Sequence, residues 1–230
     1  MAKFCIHCGK KLEEGEVCSC QANVQVQSDS IGSNLADVIK GMFVKPIDTI
    51  KAYTDEKSFS LALILLGIFS VATSLFVLSL VKNLTEVATS SMGGLTLYAI
   101  SSGVVQIPYL KIFFICLIAA VIFIFMYTGL LYLVNSVMFK GEKSFKKVFA
   151  MYGVNSVITT ASLLVASIFM FLSPVLGVMI FLLGSVLNTL YVYKGIETLG
   201  VKDENKHGYI YLITTVFYGV VLAIISLIFS

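Results

Sequence analysis

Five strongly apolar stretches of nineteen residues or more, none containing Asp, Glu, Lys or Arg, decide what the chain can become. They are residues 59–80, 112–139, 152–172, 175–193 and 209–229. As α-helix the first reaches roughly 33 Å, enough for a hydrocarbon core of about 30 Å. The second is longer than one crossing needs, so we expect it to tilt or protrude. Ser173-Pro174 separates the third from the fourth. A helix satisfies its own backbone polar groups in lipid, so uncharged runs of this length read as transmembrane helices. The expected fold is all-α and integral to the membrane, a five-helix transmembrane bundle.

The remaining composition agrees. Hydrophobic residues make up 58% of the chain, against about 45–50% in soluble domains. All sixteen basic residues are Lys. Without Arg there is no bidentate fork for phosphate or base edges, so nucleic acid is not an expected partner.

The lysines serve instead as topology signals. Lys3, Lys10, Lys11, Lys40, Lys45, Lys51 and Lys57 precede the first span. Lys140, Lys143, Lys146 and Lys147 lie between the second and third, and Lys194, Lys202 and Lys206 between the fourth and fifth. Placing those segments in the cytosol leaves only Lys82 and Lys111 outside. The expected orientation in the plasma membrane is therefore N-terminus in, C-terminus out. Tyr152, Tyr191, Tyr193, Tyr209 and Tyr211 fall at the same predicted ends, as interface anchors do. Residues 82–108 form the long external loop, polar first and apolar later.

Ahead of the spans, the chain divides into residues 1–21, a Cys-rich segment; 22–33, a linker; 34–57, an amphipathic juxtamembrane segment; and then the membrane domain, 58–230. In the third of these, Leu35, Val38, Ile39, Met42, Phe43, Ile47 and Ile50 follow helical spacing, interrupted at Pro46. We read it as a helix pair on the membrane surface. Glu56-Lys57-Ser58-Phe59 recurs as Glu142-Lys143-Ser144-Phe145, which we read as two polar stops with a Ser cap.

The Cys-rich segment lacks the apolar core of a signal peptide, so it is expected to stay in the reducing cytosol, where grouped thiols suit metal better than disulfides. Cys5-Ile6-His7-Cys8-Gly9 is followed by Cys18-Ser19-Cys20. Four thiolates suit tetrahedral Zn²⁺, and metal binding would supply the folding energy of so short a segment. Cys5, Cys8, Cys18 and Cys20 are thus the expected ligands of a structural Zn²⁺ in a zinc ribbon. The second pair is tighter than the usual C-x-x-C, and His7 is an alternative to one sulfur. A redox dithiol and a metal-free remnant are the other readings of the same residues. Cys116 reads as a small apolar residue of the second span and His207 as a solvated interfacial side chain.

Within the spans a set of uncharged polar residues recurs at one depth. Asn135, Asn155, Thr159, Asn188, Thr189 and Thr214 all fall in the half nearer the lysine-rich segments. An unsatisfied amide in hydrocarbon costs several kcal/mol, so such a layer should face other helices. It is either interhelical glue, at about 0.6 kcal/mol per bond, or a vestibule open to the cytosol. Ion-driven transporters carry ionisable groups within their spans, and these spans have none. No phosphate loop, H-E-x-x-H or G-x-S-x-G occurs, so enzymatic activity is not expected.

Two stretches carry a resemblance. One is the segment Lys40 to Lys51 with its central Pro46; the other is Lys140 to Phe149, ahead of two spans joined by Ser173-Pro174. With five spans and a cytoplasmic N-terminus, residues 36–230 resemble a bacterial member of the Yip-domain family, named for proteins that interact with Ypt/Rab GTPases. Residues 1–20 resemble the short zinc ribbon fused to many bacterial membrane proteins. The resemblance implies a membrane protein of traffic or transport machinery, since eukaryotic members act in vesicle traffic and some bacterial relatives accompany ABC-type exporters. The acidic-aromatic Gly-Pro stretch of the eukaryotic members has no counterpart here, so GTPase binding is not carried over. The expected function is a non-enzymatic adaptor or accessory to a transport or envelope-stress complex, its ribbon binding a membrane or cytosolic protein. The alternative is a transporter of a small solute or lipid in its own right.

Overall fold

A computed structural model describes residues 3–4, 11–12, 31–91 and 107–229. The chain forms two compact units, Met1–Ala36 and Asp37–Ser230. In the first, strands β1 (Lys3–Phe4) and β2 (Lys11–Leu12) pair antiparallel, Lys3 opposite Leu12 and Phe4 opposite Lys11. Helix α1 (Ile31–Val44) begins there and runs into the second unit.

In the second unit α1 gives way to α2 (Pro46–Tyr53). Lys45, with φ −142° and ψ 66°, leaves the helical region and Pro46 takes the first helical position, where its missing N–H costs nothing. Thr49 fills the space that a side chain at Gly41 would occupy, which lets the two helices lie close. Val38, Met42 and Ile50 are fully buried, and α2 lies against two of the long helices described next. Ile39, Phe43 and Val44 remain exposed. The apolar stripe read from the sequence as a surface helix pair is therefore shared between the bundle and the outside.

Five long helices follow. They are α3 (Phe59–Ser91), α4 (Tyr109–Leu133), α5 (Phe145–Leu172), α6 (Pro174–Ile196) and α7 (Glu204–Phe229). Among the described residues these five helices are long and apolar enough to cross a membrane. Helix α4 continues into a wider π-helical turn, Val134–Met138. Helix α3 does not stop where its apolar run stops. It carries on through Lys82 and Glu86, whose side chains pair at 3.8 Å along one helix face. No Gly or Pro interrupts that stretch, so nothing breaks the helix at the hydropathy edge.

Helix α5 is the centre. It packs along α3 on one side and α6 on the other. Ala62 meets Gly153 near one end, while Ala72 and Phe76 meet Leu163, Ala166 and Met170 further along, so α3 and α5 run parallel. A Cβ at Gly153 would lie 2.6 Å from Ala62 Cβ, so the approach exists because position 153 has no side chain. The loops after α4 and α6 meet at the lysine-rich end, where Glu142 N–H donates to the Leu199 carbonyl at 2.7 Å. Helices α4 and α7 turn broad apolar faces outward, with Ile115, Ile118 and Ile122 on one and Val216, Val220 and Ile224 on the other. Faces of that size are what a lipid-facing surface looks like.

At the start of α5 a carboxylate stands in where the Ser cap was expected. Ser144 stands at the N-cap of α5 but makes no side-chain cap bond. Glu142 instead accepts from the backbone N–H of Lys143 and Ser144. Ahead of α3, Asp55 accepts from Ser58 N–H at 2.8 Å.

Candidate functional site

One cavity is lined by all five long helices. It has a volume of about 350 Å³ and lies toward the lysine-rich half of the bundle. Phe69 and Thr73 come from α3, Phe123 and Tyr127 from α4, Tyr152 from α5, Asn188 from α6, and Tyr211, Thr215 and Tyr218 from α7. The helical repeat explains the convergence. Tyr211, Thr215 and Tyr218 are spaced i, i+4, i+7, and Phe123 and Tyr127 are spaced i, i+4, so each set occupies one helix face.

Tyr127 is the hub. Its ring lies 5.2 Å from that of Tyr152 and 5.3 Å, edge to face, from that of Tyr218. Thr215 lines the cleft beside it. Tyr211 donates its hydroxyl to Thr189 Oγ1 at 3.1 Å, which ties α7 to α6 beside the cleft. No Asp, Glu, Lys or His is among the described residues that line it. The cavity is aromatic, hydroxylated and uncharged.

The polar layer expected from the sequence does not converge on one point. Asn188 lines the cleft and Thr189 sits at its edge through Tyr211. Asn155 is fully buried away from it, its amide donating to Met151 Sδ at 2.9 Å while its oxygen has no partner. Gly195 of α6 packs directly onto that Met151–Asn155 pair. Asn135 is buried in the π turn, with a long 3.4 Å bond to the Glu142 carbonyl and an unpartnered oxygen. Thr214 is fully buried and Thr159 half-buried, each with an unpartnered hydroxyl. His207 is buried rather than solvated, its Nε2 2.7 Å from the Val201 carbonyl. Sequence reasoning missed the tyrosines as a group because it treated tyrosine as an interface anchor. Tyr127 and Tyr218 lie too far into their runs for that role, and this was the available signal.

The lysine-rich end is braced. Lys147 Nζ meets Glu142 Oε2 at 2.8 Å, and this bond, with the two backbone N–H donors, holds the Glu142 carboxyl below the usual carboxylate range.

Cys5, Cys8, Cys18 and Cys20 lie outside the described residues. Their donor set suits tetrahedral Zn²⁺, and β1 and β2 pair on either side of the segment that holds Cys5 and Cys8. Among the described residues no group of His, Cys, Asp or Glu could hold a metal ion.

Five apolar helices around an uncharged cleft define a multi-pass helical membrane protein associated with a lipid bilayer. The Yip1 domain family matches residues 40–227, and the chain belongs to that family. No curated protein and no solved structure matches it.

Proposed function

We propose that this Yip1 family protein is a non-enzymatic membrane adaptor, accessory to a transport or envelope-stress complex. In this reading the lysine-rich end faces the cytosol and the N-terminal segment is a zinc ribbon that binds a protein partner. The observation that carries it is the bracing of that end. The loops after α4 and α6 are joined through Glu142 and Leu199, α2 is seated on α5 and α6, and His207 anchors the entry to α7. A fixed platform suits docking, whereas gating needs loops that exchange positions. The uncharged spans offer no group to couple transport to protons or ions. The test is cross-linking in intact membranes with a photo-reactive residue at Lys202 or Lys143, followed by detergent purification. A partner captured in stoichiometric amount at these sites, and lost on removing residues 1–21, supports the reading. Absence of any stoichiometric partner overturns it.

The cleft favours a second reading, a carrier of a small solute or lipid. A cavity reached by every span is where an alternating carrier would bind cargo. Liposomes containing the purified protein that move neither lipid nor neutral solute would remove this reading.

A further inference from the structure

We infer that the tyrosine-lined cleft binds the uncharged, hydroxyl-bearing head of an amphiphile, a molecule of the diacylglycerol class rather than a phospholipid. The inference rests on the cleft alone. It needs neither a protein partner nor transport, although it names the cargo class for the carrier reading.

The lining sets the charge of the occupant. A phosphate or carboxylate head would leave water for a site with no Lys or His among its described walls, and an unpaired buried charge is strongly disfavoured. A lone cation fares little better. Cation cages stand their aromatic faces around a void, whereas here the ring of Tyr127 is engaged by Tyr152 and Tyr218 at 5.2 and 5.3 Å.

The walls also say what the occupant must offer. Tyr211 is bonded to Thr189, so one of the phenols is already engaged. The Asn188 amide and the hydroxyls of Tyr152 and Tyr218 make no hydrogen bond among the described residues. They come from α6, α5 and α7 and offer donors and acceptors without charge. A hydroxyl with neighbouring ester carbonyls matches that set. The volume of about 350 Å³ is at the lower end of small-molecule sites, enough for a glycerol-sized head but not for two acyl tails. The tails have somewhere to go. Phe123 and Thr215 are exposed at the rim, on faces that lipid would cover.

The test compares three ligands with identical tails. Dioctanoylglycerol, dioctanoyl phosphatidate and dioctanoyl phosphatidylcholine are titrated onto the full-length protein in detergent and followed by native mass spectrometry. We expect the glycerol to bind at least tenfold tighter than the other two. Asn188→Leu and Tyr218→Phe should each weaken it by roughly three- to tenfold, the worth of one hydrogen bond between neutral groups. Ile118→Ala, on the outward face of α4, should leave it unchanged. Tyr218→Phe keeps the ring, so it separates lost hydrogen bonding from lost packing, and melting curves confirm that each variant is folded. Equal binding of all three ligands, tighter binding of the choline lipid, no binding, or full affinity in Asn188→Leu would each overturn the inference. Failure of transport in liposomes would sink the carrier reading while leaving this binding result intact.

Discussion

Glu142 donates its backbone N–H to the Leu199 carbonyl at 2.7 Å while its carboxylate holds Lys147 at 2.8 Å, so one residue joins the two loops of the lysine-rich end and starts α5. Because the folded-state carboxyl titrates below its ordinary value, its contribution to stability is present above the unfolded pKa. That contribution disappears as pH falls through the folded value. Lys147→Met should move the Glu142 titration upward and lower stability at neutral pH by about 0.5 kcal/mol, the modest scale of a partly solvated pair. Wild type and variant should converge in strong acid. Melting in detergent at pH 7 and pH 3, with a carbon-detected titration of Glu142, checks both.

Gly153 and Gly67 form a matched pair for testing helix contact. A Cβ at Gly153 meets Ala62, while one at Gly67 meets nothing within 4 Å. Gly153→Ala should therefore destabilise by about 1–3 kcal/mol through overpacking. Gly67→Ala should be neutral or slightly stabilising, because it only adds helix propensity. Equal effects at both positions would contradict the packing of α3 on α5.

Asn155 holds its amide to a sulfur and leaves its oxygen unpartnered in a fully buried position. Removing an unsatisfied buried group of similar size can be neutral or favourable. Asn155→Leu should keep stability or raise it by about 1 kcal/mol. A large loss on unfolding in detergent would mean that the amide oxygen has a partner in the membrane.

The Cys-rich segment makes an independent prediction. The purified chain should carry one Zn²⁺ per molecule by elemental analysis. Cys5→Ser together with Cys8→Ser should abolish it. Chelation should leave the melting of the membrane domain unchanged. Retention of zinc in the double variant would point the metal elsewhere.

Orientation can be read directly. Reporters fused after Lys143 and after Lys202 should be active only in the cytosol, and one fused after Ser173 only outside. The reverse pattern would invert the lysine argument.

The membrane architecture was legible because charge is so costly in hydrocarbon that its absence over long runs leaves few alternatives. The five runs reappear as α3 to α7, although charged and polar residues extend α3 past Leu80 and start α5 at Phe145. Hydropathy marks where lipid is tolerated, not where a helix ends. The cleft was less legible because its residues come from five helices whose rotation about their own axes is set by contacts such as Ala62 with Gly153. A single chain read in order shows depth but not azimuth. Asn155 and Asn188 therefore looked equivalent, yet one is sealed beneath Gly195 and the other lines the cavity.

The central position of α5 has a consequence for biogenesis. It is the least apolar of the five, with a mean hydropathy of 1.8, and α4, which precedes it, is the most apolar at 2.7. Helix α4 is well suited to wait in the bilayer as a solitary passenger. Helix α5 is a poor candidate for entering alone, and α3 is the companion already there when it leaves the ribosome. The early part of the chain thus acts as a reception site for the later part, and damage to the face of α3 that carries Ala62 should show first as failed insertion.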